Sequence, residues 1–182
     1  QEAAQKYCQE LSETYGVRVV AVESVEAAVR GADVINVATA GAVSPEIHDE
    51  WLKEGVLLTL PASAALSLDT MKSSRIVVDN WKMYEAYAQE LRGLPGGYAA
   101  NLSGICGYLM DLVESGEIPQ KDIVNLGDVI AGKQECRRND RERVIFIMDG
   151  MPIEDLAWGY TVYENAKKMG LGTKLNLWEK TR

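Results

Sequence analysis

Small and hydroxyl-bearing residues follow two apolar runs of the sequence, and residues of these types can contact a ligand. Thr39-Ala40 ends the run Val34–Ala38, and Pro61-Ala62-Ser63 ends the run Val56–Leu60. If both runs are strands of one parallel sheet, the two turns lie together at its carboxyl edge, where such sheets bind ligands. Small side chains let a ligand approach the backbone, and the two hydroxyl groups can donate or accept hydrogen bonds. The pattern is equally compatible with two tight strand-to-helix turns that bind nothing.

The one histidine and a glycine-rich segment are weaker candidates for chemistry. His48 lies among acidic residues, in a pattern typical of a solvated helix face, and a single histidine cannot form a two-histidine zinc site. Gly93, Gly96 and Gly97 follow a predicted helix and lack the Lys-Ser/Thr ending of a phosphate-binding loop. We interpret these glycines as a flexible loop.

Two further groups of residues favour surface or packing roles. Four arginines alternate with acidic residues between positions 137 and 143, which is typical of a solvated, self-paired surface, with a phosphate clamp as the alternative. Gly104, Cys106 and Gly107 lie on one predicted helix, and no base is near the thiol in sequence. We therefore expect close packing around Cys106 rather than thiol chemistry.

A scaffold of alternating strands and helices is predicted to position these residues. The predicted strands are Val17–Val22, Val34–Ala38, Val56–Leu60, Arg75–Val78 and Val144–Ile147. The predicted helices are Ala4–Tyr15, Val25–Arg30, a short one beginning at Ser44, Leu68–Met71, Trp81–Leu91, Asn101–Glu114, Gln120–Ile130 and Ile153–Met169, with Thr173–Trp178 extended after the last. This alternation indicates an α/β, three-layer, Rossmann-like fold with a mostly parallel sheet.

Composition excludes several classes of partner. The 182 residues are 47% hydrophobic, which is enough for one globular domain and a small second lobe, with a boundary near Gly150. The formal net charge of −8 argues against binding to nucleic acid or to an anionic membrane. No stretch approaches the roughly 20 apolar residues of a membrane span. Three cysteines without C-x-x-C spacing fit reduced thiols in a cytoplasm.

Several segments together resemble a known family. They are Gly31–Ile35, Glu50–Gly55, Gly127–Lys133, Gly150–Asp155 and Gly170–Lys174, which occur in the order found in the ornithine cyclodeaminase and mu-crystallin family. The resemblance covers nearly the whole chain. Two details, Val78–Glu85 and Gly172–Trp178, look closest to the tyramine oxidase branch of that family.

The resemblance implies an NAD(P)-dependent enzyme of two lobes that is usually a homodimer and acts on a small amine, imine or amino acid. Residues 1–150 would be part of the cofactor-binding Rossmann lobe, and residues 151–182 would return to the substrate and dimerisation lobe. The sequence matches only the later part of this plan, because the first βαβ unit and its Gly-rich phosphate loop are not found in it. We therefore expect this chain by itself to be inactive. We also expect Val17–Val22 and Val34–Ala38 to pair directly, or a partner chain to fill the gap between them.

The resemblance also assigns site residues. Ser63 stands at the family's catalytic position, where cyclodeaminases carry the aspartate of a Gly-Gly-Asp turn, and a serine cannot act as a carboxylate base near neutral pH. Ornithine cyclisation is therefore disfavoured. The family's Ser-Leu-Gly loop beside the nicotinamide is Met-Asp-Gly here. The implied NAD or NADP contacts are Thr39, Ala40, Pro61, Ala62, Ser63, Met148, Asp149 and Gly150. Two hypotheses follow: an oxidoreductase or deaminase, or an accessory protein that keeps the fold without catalysis.

Overall fold

The computed structural model describes residues 2–39, 43–102 and 104–175, and the chain divides into two compact units. The first unit extends to Asp149, and the second begins at Gly150. In the described ranges, no helix combines the length and the apolar character that crossing a membrane requires.

A parallel sheet forms the centre of the first unit. Its strands are β1 (Val34–Asn36), β2 (Leu57–Leu60), β3 (Arg75–Val78), β4 (Val124–Asn125) and β5 (Val144–Ile147). They pair in the order β1-β2-β5-β3-β4, and every pair is parallel. The last strand of the sequence therefore lies at the centre, because the chain skips one position between β2 and β3. The predicted Rossmann-like α/β fold is confirmed, and the sheet is parallel throughout.

The described part of the first unit also contains seven helices. They are α1 (Glu2–Tyr15), α2 (Val25–Val29), α3 (Leu68–Ser73), α4 (Trp81–Leu91), α5 (Gly97–Asn101), α6 (Ile105–Glu114) and α7 (Leu126–Ile130), with short 3-10 turns at Asp49–Trp51 and Gln120–Asp122. Local capping explains several starts. The Ser24 hydroxyl accepts the Ala27 N–H at 3.1 Å, and the Ser67 hydroxyl accepts the Thr70 N–H at 3.1 Å. Such caps satisfy amide groups that a helix start leaves without partners.

The larger part of the core lies on one face of the sheet. Leu58, Leu60, Ile145 and Ile147 are at most 1% exposed. These four side chains share that face, because Leu58 pairs with Ile145 and Leu60 pairs with Ile147, and a smaller buried cluster that includes Val144 lies on the opposite face. Each such side chain contributes roughly 2 kcal/mol when it is removed from water. This packing fixes the positions at which β2 and β5 end.

The predicted strand Val17–Val22 is wrong, because this segment pairs with no strand among the described residues. Its Val17, Val20 and Val22 are about half exposed, and the Val19 N–H instead donates to the Ser12 hydroxyl at 3.0 Å. Within the described residues, β1 pairs with β2 alone, so the predicted direct pairing of Val17–Val22 with Val34–Ala38 is also wrong. An apolar alternation becomes a strand only where a neighbouring strand supplies hydrogen bonds. The alternative, in which a partner chain fills the gap between these two segments, stays a prediction.

The helix predicted from Ser44 is absent. The Pro45 carbonyl accepts a hydrogen bond from the Ala65 N–H at 2.9 Å, and the Ile47 N–H donates to the Ala65 carbonyl at 3.0 Å. This extended pairing buries Ile47, which is 3% exposed. Burial of one large side chain in the core outweighs the local preference of a Ser-Pro start.

One longer predicted helix is divided, and another begins four residues later than predicted and ends at the predicted residue. In place of Gln120–Ile130, the chain forms a 3-10 turn, β4 and α7, because Val124 pairs with Val77 at the edge of the sheet. In place of Asn101–Glu114, α5 ends at Asn101 and α6 begins at Ile105. Gly104 has φ +80°, a conformation that ends helical continuity.

The second unit contains α8 (Pro152–Lys168), close to the predicted helix Ile153–Met169. Proline occupies its first turn together with Glu154 and Asp155, and lysines occupy its last turn, in agreement with the helix dipole. Of the predicted extended segment Thr173–Trp178, residues 173–175 form no strand and residues 176–178 lie outside the described residues.

Candidate functional site

A cleft of about 330 Å³ lies at the carboxyl ends of β1, β2 and β5. Six of the residues predicted from sequence line it: Thr39, Pro61, Ala62, Ser63, Met148 and Asp149. Ala40 lies outside the described residues, and Gly150 begins the second unit. The structure thus brings together three turns that are distant in sequence, at the edge where open parallel sheets bind ligands.

Backbone hydrogen bonds hold the three turns in register beyond the ends of the strands. The Val37 N–H donates to the Thr59 carbonyl at 3.0 Å, and the Ala62 N–H donates to the Val37 carbonyl at 2.9 Å. On the other side, the Met148 N–H donates to the Leu60 carbonyl at 3.4 Å. The cleft therefore continues directly from the carboxyl ends of these strands.

The start of α6 closes one side of the cleft. A Cβ added to Gly104 would lie 2.8 Å from the Ser63 hydroxyl oxygen, so glycine allows the helix to approach this serine. Ile105 and Cys106 also line the cleft. The predicted packing role of these residues is supported, because Gly107 lies so close to α5 that an added Cβ would be 2.5 Å from the Tyr98 carbonyl oxygen.

A buried carboxylate behind the cleft fixes the turn that follows β5. Asp79, directly after β3, is 6% exposed. One of its oxygens accepts the Asn80 N–H at 2.9 Å, and the other accepts the Asp149 N–H at 2.9 Å. Sequence reasoning did not single out Asp79, although an acidic residue directly after an apolar strand was a usable signal.

Burial keeps the neighbouring thiol and phenols neutral. The pKa of Cys106 is raised to about 12, first by burial and also by the Asp149 carboxylate, whereas the hydrogen bond with Tyr84 lowers it. The pKa of Tyr84 is also raised, first by burial and then by Cys106; its hydroxyl lies 3.6 Å from the thiol sulfur. For Tyr87, burial and a hydrogen bond with Asp149 raise the pKa. None of these groups is a nucleophile or base at neutral pH.

The other sequence candidates do not line this cleft. His48 is exposed, packs its ring edge on Trp51 at 4.4 Å between centroids, and caps a 3-10 turn rather than lying on a helix face. The start of α5, after the glycine-rich segment, already binds an anion. The N–H groups of Tyr98 and Ala99 donate to the Asp111 carboxylate at 2.7 and 2.9 Å. These amides are therefore not available to a phosphate.

The arginine cluster is mostly a paired surface. Arg138 donates from Nε to Glu142 at 2.7 Å, as the alternating charges predict. Arg143 differs, because its guanidinium is largely buried and donates to Asp49 at 2.6 Å and to the Leu52 carbonyl at 2.7 Å. It ties the start of β5 to the segment before β2 and is structural. Within the described ranges, no group of three or more His, Cys, Asp or Glu side chains could hold a metal ion.

Known proteins resemble this chain across most of its length. It is 29% identical over 145 residues to an alanine dehydrogenase of Archaeoglobus fulgidus, covering 76% of this chain and 39% of that protein. It is 27% identical over 176 residues to a Δ1-pyrroline-2-carboxylate reductase of Bacillus cereus, covering 96% of this chain and 50% of that protein. The chain thus spans half or less of the length of these relatives.

The fold also matches a solved structure. The Δ1-pyrroline-2-carboxylate reductase of Thermococcus litoralis, in complex with NADH and L-proline, superposes with a TM-score of 0.70 at 26% identity, over 96% of this chain and 50% of that one. Residues 1–170 match the sequence profile of the ornithine cyclodeaminase/mu-crystallin family, and the chain belongs to that family.

Proposed function

We propose that the protein containing this chain uses NAD or NADP to oxidise or reduce a small amine, imine or amino acid, and that the cleft receives the nicotinamide. The observation that carries the proposal is the convergence of Thr39, Pro61-Ala62-Ser63 and Met148-Asp149 on one cleft at the carboxyl edge of the sheet. Further support comes from the relatives, one of which was solved with NADH and an amino acid.

The residues of the cleft fit a flat, partly polar ring. Pro61 and Ala62 are small enough for close approach to the end of β2, and Met148 supplies an apolar surface. The hydroxyl groups of Thr39 and Ser63 can orient a carboxamide by hydrogen bonds. A bound nicotinamide would supply the hydride acceptor or donor, and these residues would position it and exclude water.

The proposal concerns the whole protein rather than these 182 residues alone. In Rossmann-like folds, a Gly-rich loop at a helix start binds the pyrophosphate of the cofactor. The sequence contains no such G-x-G-x-x-G loop. The choice between NAD and NADP is made by residues near the adenosine ribose, and none can be assigned in this chain.

Titration of the whole protein with NADH and NADPH, followed by nicotinamide fluorescence, tests the proposal. We expect a saturable change with at least one cofactor. Ala62→Trp should abolish it, because a bulky ring would occupy the cleft. Ala131→Trp is the matched control, since Ala131 is exposed and does not line the cleft. Absence of binding by the unsubstituted protein for both cofactors would contradict the proposal.

A second candidate is an accessory protein that keeps the fold without catalysis, as the likeness to the tyramine oxidase branch suggests. Ser63 favours this candidate because it cannot replace a carboxylate base, and Cys106 stays protonated. Turnover distinguishes the two. Reduction of NAD(P) by the purified whole protein with amines or amino acids would exclude the accessory role.

The same family membership leads us to propose a homo-oligomer in the cytoplasm. The cysteines Cys8, Cys106 and Cys136 are all unpaired, which agrees with a reducing compartment.

A further inference from the structure

The cleft carries one ionisable carboxylate and no basic side chain in the described residues. Asp149 lines it, and the other lining residues are apolar, hydroxyl-bearing or glycine, apart from the protonated thiol of Cys106. Among the described residues that line the cleft, Asp149 is therefore the one that carries a charge.

The position of Asp149 is fixed by its own backbone. Its N–H donates to the buried carboxylate of Asp79 at 2.9 Å, which ties the end of β5 to the end of β3. The side chain faces the hydroxyl of Tyr87 and the thiol of Cys106. Both neighbours are neutral donors, so they orient the carboxylate without cancelling its charge.

The ion pairs of the described residues do not include Asp149. The side chain is half-buried, and a carboxylate in such a place loses part of its hydration. A cation in the cleft would recover that loss through a charge-assisted hydrogen bond. An anion such as a substrate carboxylate would be repelled there.

We propose that Asp149 makes this cleft selective for a cationic nitrogen, either the ammonium or iminium group of the substrate or the oxidised nicotinamide ring. The inference rests on the proposed function for the identity of the ligands. The charge preference itself follows from the lining of the cleft. Asp149 is thus a residue that determines specificity, and Asp79 is a positioning residue that acts through it.

Calorimetric titration of the whole protein with four probes tests the inference: NAD⁺, NADH, propylamine and propionate. Asp149→Asn removes the charge, keeps the size of the side chain and retains the backbone bond to Asp79. We expect this variant to lose about tenfold or more in affinity for a cationic probe and to lose markedly less affinity for NADH, whose nicotinamide ring is neutral. Asp69→Asn is the matched control, because Asp69 is an exposed carboxylate that does not line the cleft.

The pattern of losses separates the two sources of the cation. If the variant loses affinity for NAD⁺ alone, the cation that Asp149 favours is the oxidised nicotinamide ring. If it loses affinity for propylamine alone, that cation is the substrate nitrogen. Cofactor binding with unchanged affinities for NAD⁺ and propylamine in Asp149→Asn would overturn the inference and leave the proposed function intact. Conversely, an Asp149-dependent preference for propylamine over propionate without cofactor binding would support the inference and contradict the proposed function. Binding of none of the four probes would overturn both.

Discussion

Single residues at the cleft show how burial separates structural from chemical roles. Asp79 is buried yet accepts two backbone N–H bonds, so its charge is used to join two strand ends. Cys106 is buried, and this burial raises its pKa, so its thiol stays protonated. Asp149 is half-buried and reaches the cleft. Among these three, Asp149 alone combines a charge with access to a ligand.

The raised pKa of Cys106 predicts a stability change at high pH. The folded protein holds the thiol proton up to about pH 12, whereas a free thiol loses it near pH 9. Above that lower value the unfolded state binds fewer protons, so the free energy of unfolding falls as the pH rises from about 9 to 12. The slope from one such group is at most about 1.4 kcal/mol per pH unit.

Urea unfolding of the Cys106→Ala variant at pH 8 and at pH 10.5 checks this prediction. The variant should be less stable than the unsubstituted protein at pH 8, because it leaves a small cavity. It should lose less stability between the two pH values. Cys8→Ala is the control, because Cys8 lies on α1 and is only partly buried. Equal slopes for all three proteins would show that Cys106 does not contribute to alkaline unfolding.

At the scale of elements, close contact between α5 and α6 determines how α6 reaches the cleft. A Cβ on Gly107 would lie 2.5 Å from the Tyr98 carbonyl oxygen and 2.8 Å from the Ala99 Cα. Both are backbone atoms, so the helices would have to move apart. We expect Gly107→Ala to lower the free energy of unfolding by about 1–3 kcal/mol and to weaken ligand binding through the displaced start of α6.

Gly127→Ala on α7 is the matched helical control. Nothing lies within 4 Å of the position of its added Cβ, and alanine favours a helix over glycine by up to about 1 kcal/mol. This variant should therefore be as stable as the unsubstituted protein or slightly more stable. Chemical denaturation measures both variants, and a neutral Gly107→Ala would show that the two helices are not tightly packed.

Elements were predictable from sequence where local signals agreed with burial. The caps Ser24 and Ser67 mark helices that the structure contains, and Arg75–Val78 is a strand with the predicted bounds. Local signals failed where a distant partner decided the conformation. Val124 lies in a strand because it pairs with Val77. The segment Val17–Val22 is not a strand, because no strand of the described residues lies beside it to pair with. Pairing between residues far apart in sequence is not encoded in a short window.

At the scale of the whole molecule, the chain spans half or less of the relatives described above. If the phosphates are bound by the rest of the protein, the 182 residues alone should bind NADH at least about 100-fold more weakly than the whole protein, because charge-assisted phosphate contacts are missing. Fluorescence titration of both proteins measures this difference. Equal affinities would show that the phosphates are bound within this chain.

The sequence by itself determined the α/β class, the ends of the central strands, the small residues that follow them and the family. These features depend on stretches of roughly 5–15 residues, within which periodicity, caps and motifs are complete. Only the tertiary structure decided that β5 lies between β2 and β3, which brings Asp149 beside Ser63 in one cleft. It also decided that Asp79 holds the Asp149 backbone. The physical reason is that strand order and buried hydrogen bonds join residues some 70 to 90 positions apart, for which only packing selects the partner.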